Sequence, residues 1–138
     1  MTLAASAITE SVAERLARET VVWLTTVGRT GTPVPTPVWF DWSGTEFLIF
    51  SRPATAKLAN IERNPQVALN FNSSAHGGDV SVFTGRARVD PDGPSAAEWA
   101  AYVEKYRGDM AGLDYTPERF RQDYATLIRV TPDRLRGW

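Results

Sequence analysis

Residues 32–42 read TPVPTPVWFDW. Val34, Val38, Trp39 and Phe40 favour a β-strand. Pro33, Pro35 and Pro37 each lack the N–H that a strand ladder uses. In an antiparallel strand, residues i and i+2 direct their backbone groups to the same edge. The three prolines therefore strip donors from one edge only, while Val34, Thr36 and Val38 keep theirs for a neighbour on the other. The segment reads as a strand that borders a gap, not a central one. Its plainer use is protective, because a donor-poor edge resists unwanted strand addition. On a period of two, Trp39 shares a face with Pro35, Pro37 and Asp41, opposite Val34, Thr36, Val38 and Phe40. One of these faces is expected to lie off the core, which singles out Trp39 among the aromatic residues.

The flanks extend this reading. Residues 21–27, VVWLTTV, form a β-branched run, and GRTGTP after it reads as a hairpin turn. WSGT turns the chain into a third strand, EFLIFS at 46–51, so the three are expected to form an antiparallel meander. A helix is expected between Pro53 and Asn64-Pro65, with Leu58 and Ile61 on its apolar face. Strands follow at 66–73, at 80–90 with Gly85 as a bulge or bend, and at 125–130. Ile8, Val12 and Leu16 mark an amphipathic helix that Thr9 or Ser11 would cap. Ser95 and Glu98 have capping-box spacing before Trp99, Tyr102, Val103 and Tyr106, and Gly108 is expected to end that helix. Thr116-Pro117 starts a short helix through Phe120. Six strands and three or four helices make an α+β plan. Tight turns between short strands favour a closed or partly closed six-stranded antiparallel barrel over a flat sheet with helices on one face. One domain over residues 1–138 is expected.

Composition excludes several function classes. Fifteen basic and 16 acidic side chains give a net charge of -1, which favours neither nucleic acid nor an anionic membrane. Cysteine is absent, so disulfides, thiolate metal sites and cysteine nucleophiles are ruled out, in keeping with a reducing, cytoplasmic setting. No run of apolar residues is long enough to span a bilayer, and the first residues lack the basic and apolar regions of a signal peptide. The single histidine, His76, sits in a glycine-rich loop and reads as solvated; alone it supports neither a metal site nor a Ser-His-Asp triad. G-x-G-x-x-G and Walker sequences are also missing. An enzyme of this composition would rely on a bound cofactor for its chemistry.

The stretch SRPATAKLAN at 51–60 offers a place for one. A helix N-terminus exposes amide donors and carries partial positive charge, so acidic residues are favoured there. This one carries Ser51, Arg52, Thr55 and Lys57, with no acid before Glu62. Two cations and two hydroxyls at a helix start suit a phosphate. The plain alternative leaves Arg52 and Lys57 pointing into water, where screening weakens their repulsion. Trp42, Phe47, Phe50 and Phe71 are expected in the core.

The order of these segments resembles the pyridoxamine-phosphate-oxidase-like split β-barrel superfamily. The closer likeness is to the flavin/deazaflavin oxidoreductases of actinobacterial type, many of them F420-dependent. The motifs that carry it are AKLANIERNPQVAL at 56–69, with Lys57, Asn60, Asn64 and Pro65, and TPVPTPVWF at 32–40. The resemblance implies a homodimer with two cofactor sites at the subunit interface. It implies a phosphate-bearing tail held by Ser51, Arg52, Thr55 and Lys57, and a ring lying against Thr36, Pro37, Val38 and Trp39. Many relatives carry an arginine two residues before the lysine; here Thr55 stands there. The implied activity is hydride transfer from reduced coenzyme F420 to a small organic substrate. Two alternatives share the fold: an FMN-dependent oxidoreductase, and a non-catalytic carrier of F420 or haem. The longer F420 tail calls for a basic track, to which Arg52, Lys57 and Arg63 are the candidates. His76, Tyr102 and Tyr106 are proton donors by type, and no catalytic side chain stands out.

Overall fold

In the computed structural model, which describes residues 2–138, α1 (Glu10–Arg18) leads into β1 (Val22–Val27), β2 (Pro33–Val38), β3 (Asp41–Trp42) and β4 (Phe47–Ser51). Then follow α2 (Ala56–Arg63), β5 (Gln66–Asn70), β6 (Ser81–Asp90), α3 (Ala96–Gly112), α4 (Pro117–Asp123) and β7 (Thr126–Gly137). Met1, the first residue of the expected 1–138 domain, lies outside the described residues.

The proline run is divided, which corrects the expected meander. β2 pairs with β1 alone, β3 pairs with β4, and the sheet order is β2-β1-β5-β6-β7-β4-β3. Among the described residues the sheet therefore has seven strands, not six, every neighbouring pair antiparallel. The alternate prolines explain the split. Val34, Thr36 and Val38 face Thr26, Leu24 and Val22 across the β1 ladder. The other edge of β2 has no donors to offer a second strand. Yet β2 and β3, at opposite edges of the sheet, are joined by only Trp39 and Phe40. Two residues span about 7 Å at most, so the sheet curls until its edges approach, giving an α+β split half-barrel.

Two cores follow from strand alternation. Phe47 and Ile49 of β4 point into the barrel with Phe40, Leu69, Phe71, Phe83 and Val130. Leu48 and Phe50 point outward against Tyr102, Tyr106 and Met110 of α3 and Phe120 of α4. β4 is buried on both faces for this reason. Trp42 is half-buried beside the inner core.

Local signals place the helices, with corrections. Thr9, not Ser11, caps α1, accepting from the Val12 amide at 3.3 Å. α2 begins at Ala56; Pro53 stays in the preceding turn, where Ala54 has φ 61°. Buried Asn60 docks α2 on β1, donating to Thr26 Oγ1 at 3.0 Å. α3 runs through Gly108 to Gly112. A mid-helix glycine costs about 1 kcal/mol, and burying Met110 beyond it is worth more, about 1.5 to 3 kcal/mol. β7 runs well past residue 130 because the ten-residue β6 serves as its template, pairing as far as Ser81↔Gly137.

Gly85 marks a register shift between β6 and β7. A Cβ there would collide with the Thr131 carbonyl oxygen and sit 2.7 Å from Pro132 Cα. Beside it, Arg129 holds α3 to the sheet. Its guanidinium grips Glu98 in two parallel bonds, at 2.7 and 2.8 Å, and donates through Nε to Asp90 at 2.7 Å. The same Glu98 completes the capping box with Ser95.

Two outcomes are expected. Gly85→Ala destabilises the fold by about 2 to 4 kcal/mol in urea unfolding, because backbone on both sides must move. The Arg129 bonds hold Glu98 down to about 2 and Asp90 below its usual range. Their stabilising effect is complete above the ordinary carboxylate range and is lost as pH falls toward 2. Glu98→Gln is therefore less stable at neutral pH and loses less than the parent between about pH 5 and pH 3, as paired urea midpoints will register.

Candidate functional site

The crossover from β2 to β3 builds the site. Phe40 points into the barrel and is fully buried. Its backbone belongs to neither sheet edge, and the Tyr106 hydroxyl takes over. That hydroxyl accepts from the Phe40 N–H at 2.8 Å and lies 2.8 Å from the carbonyl oxygens of both Phe40 and Thr20. Trp39 points the opposite way. It stacks on the Tyr106 ring at 4.6 Å and 5°, and on Phe120 at 5.6 Å and 11°.

A cavity of about 460 Å³ opens beside Trp39. Pro37, Val38 and Trp39 form one wall, and Phe50, Ser51 and Arg52 form the floor where β4 ends. Thr55 and Lys57 stand at the start of α2, and Tyr102, Tyr115, Phe120 and Tyr124 close the far side from α3 and α4. Seven of the eight residues expected at the site thus line one cavity. Thr36 does not: it sits within β2 opposite Leu24. His76 is exposed in the loop between β5 and β6, and the cavity lining holds no histidine.

The polar end differs in detail from the expected cluster. Ser51 is buried, and its hydroxyl donates to the Arg52 carbonyl at 2.8 Å. Ser51 Oγ and Thr55 Oγ1 are 3.2 Å apart, so Thr55 supplies the proton of that contact. Both hydroxyls are engaged within the loop. Thr55 consequently makes no side-chain cap on α2, whereas the hydroxyls of Thr9, Ser95 and Thr116 cap the other three helices. The first amides of α2 are left open to an anion. Arg52 lies over the Tyr124 ring at 4.7 Å and donates to the Tyr115 hydroxyl at 2.9 Å, which in turn donates to Asp123. Burial depresses the Lys57 pKa, and no carboxylate offsets it. Arg63 does not extend the basic end; it donates to Asn60 at 2.9 Å.

The α3–α4 wall was not expected from the sequence. Tyr115, Phe120 and Tyr124 form an aromatic cluster, with Phe120 and Tyr124 stacked at 4.4 Å. Their closeness in the sequence was the available signal. A second, larger groove of about 940 Å³ crosses β1, β5, β6 and β7, but no aromatic ring lines it and it offers no stacking surface. The cavity beside Trp39 pairs flat aromatic walls with two cations, which suits a planar ligand carrying an anionic group.

The family described as pyridoxamine 5'-phosphate oxidase matches residues 8–138. A solved structure described as an F420 reductase aligns at 25% identity and a TM-score of 0.68, over 89% of this chain and 94% of its own. A conserved hypothetical protein from Mycobacterium tuberculosis aligns at 20% identity and 0.72, over 94% and 84% of the two chains. HutZ, the haem storage protein from Vibrio cholerae, aligns at 18% and 0.70, over 94% of both. The last two establish a shared fold alone. No curated protein matches the sequence significantly.

The geometry makes Tyr106 a structural residue. Tyr106→Phe leaves the buried Phe40 amide without its acceptor and is expected to cost about 1 to 3 kcal/mol in chemical denaturation, while the Trp39 stack keeps its aromatic surface.

Proposed function

The chain belongs to the pyridoxamine 5'-phosphate oxidase family, and from that premise we propose that it is an oxidoreductase that uses reduced coenzyme F420 to reduce a small organic substrate. The observation that carries this reading is Lys57. It is a half-buried cation with no carboxylate partner among the described residues, at one end of an aromatic-walled cavity. Such a group is stabilised by an anion, and a phosphate-bearing cofactor supplies one. The likeness to an F420 reductase at 25% identity supports the deazaflavin over other rings.

When bound, reduced F420 supplies a hydride. The residues of this chain bind, orient and exclude water. Lys57, Arg52 and the open amides of α2 hold the phosphate, with Ser51 and Thr55 shaping the loop around it. Pro37, Val38 and Trp39 carry the ring on an edge that no strand can cover. Phe120 and Tyr124 keep water from the opposite side. Leu113 stands 61% exposed on the rim, an apolar contact for the second subunit of the proposed homodimer. A haem carrier is less well supported: the cavity lining has no histidine, cysteine or methionine, burial keeps the Tyr102 hydroxyl protonated, Tyr115 is bonded to Arg52 and Asp123, and Tyr124 lies under Arg52.

Titration of the purified protein with F420 and with FMN, followed by fluorescence, tests the assignment. Micromolar F420 binding and turnover of an electron-poor acceptor are expected. FMN binding without F420 binding overturns the choice of cofactor, and F420 binding with no turnover across a broad acceptor panel favours a carrier. Lys57→Ala is expected to weaken binding by about 1 to 3 kcal/mol with the fold intact by circular dichroism. An unchanged dissociation constant removes Lys57 from the site.

A further inference from the structure

Tyr102 is wholly buried in α3, yet it lines the cavity. Its hydroxyl is the one buried side-chain polar atom without a hydrogen-bond partner among the described residues. The surroundings explain the vacancy. Its ring packs against Phe50 at 4.7 Å, Tyr106 at 4.8 Å, Trp99 at 5.8 Å and Phe120 at 6.1 Å. Three of these carry no acceptor. The fourth, Tyr106, has its hydroxyl committed to Phe40 and Thr20. A phenylalanine at 102 would fill the same aromatic niche without burying an unmade bond, so the hydroxyl has no role in packing.

We propose that the Tyr102 hydroxyl donates a hydrogen bond to an acceptor atom, a ring carbonyl oxygen or ring nitrogen, of the planar conjugated ligand seated in the cavity. The inference rests on the cofactor reading above and makes Tyr102 a positioning residue. The anionic end of the ligand is held at Lys57, and the inner edge of its ring is held at Tyr102. With one contact at each end, the ring keeps a single orientation against Trp39. Burial pushes the Tyr102 pKa well above its ordinary range, so the group remains a donor at physiological pH.

Tyr102→Phe in the full-length protein tests this, with F420 and FMN as the probes. Without ligand, the thermal midpoint of the variant is expected to equal or exceed the parent's, since an unpaired buried group has been removed. With ligand, the dissociation constant of whichever cofactor the parent binds is expected to rise about tenfold. The visible absorption band of the bound ring should shift between parent and variant, because a hydrogen bond to the chromophore is lost. Lys57→Ala, which acts on the other end, should weaken binding without moving that band. A ligand-free midpoint several degrees below the parent's overturns the proposal, because the hydroxyl then has a partner within the protein. Equal affinity and an unmoved band in Tyr102→Phe overturn it too, while leaving the cofactor reading in place. Failure of the parent to bind either probe overturns the cofactor reading and this inference with it.

Discussion

The backbone of Phe40 has to be satisfied where no strand can reach it. Buried N–H and C=O groups need partners, and Phe40 sits between two edge strands that do not pair with each other. The Tyr106 hydroxyl answers both needs, accepting from the amide and lying within donor range of the carbonyl. Its reach to the Thr20 carbonyl adds the segment between α1 and β1. One side chain from α3 thus fixes the point where the curled sheet meets itself. With Phe40 held inward, the pleat sends Trp39 outward. The aromatic wall of the cavity depends on that choice.

The cavity lies where the outer core runs out. Leu48, Phe50 and Leu127 are covered by α3 and α4, but past Phe50 the strand ends and the chain turns toward α2. The space left between Trp39, the end of β4 and α4 is the pocket. Its shape therefore depends on how α3 is held, and the Arg129–Glu98–Asp90 network holds the first turn of that helix against β6 and β7. Removing one partner would leave a buried guanidinium short of its charge complement, so this network is closer to a fixed joint than to an ordinary surface pair.

Much of this was legible in the sequence because it rests on local rules. Three alternate prolines define a one-sided strand, Gly85 a bulge, Ser95 and Glu98 a capping box, and SRPATAK a helix start crowded with cations. What was not legible rests on distant partners. β3 has two residues and exists only because β4 lies beside it. Gly108 looks like a stop until the buried Met110 beyond it is seen. Tyr102 and Tyr106 are alike in the sequence, four residues apart on one helix face. Only tertiary contacts show that one hydroxyl is fully engaged and the other has no partner. The hydroxyls of Ser51 and Thr55 likewise read as ligand donors, and the folded loop turns them toward each other.

Two departures from satisfied packing meet at one cavity, and a third lies in the adjoining loop. Lys57 is a half-buried cation with no carboxylate to offset it. Tyr102 buries a hydroxyl with no acceptor. Ala54, in the loop between Arg52 and Thr55, adopts a left-handed backbone; among the described residues the other two non-glycine residues that do so are aspartates, which tolerate it better. These three features concern charge, hydrogen bonding and backbone strain, and no one of them causes another. Proteins satisfy such requirements nearly everywhere, and exceptions concentrate where a ligand completes them. The exceptions here differ in kind; Lys57 and Tyr102 line the same 460 Å³ cavity, and Ala54 lies in the loop between two residues that do. A ligand with an anion at one end and an acceptor-bearing aromatic ring at the other would resolve the first two together, and the turn at Ala54 is what brings Arg52 and Thr55 to the same mouth.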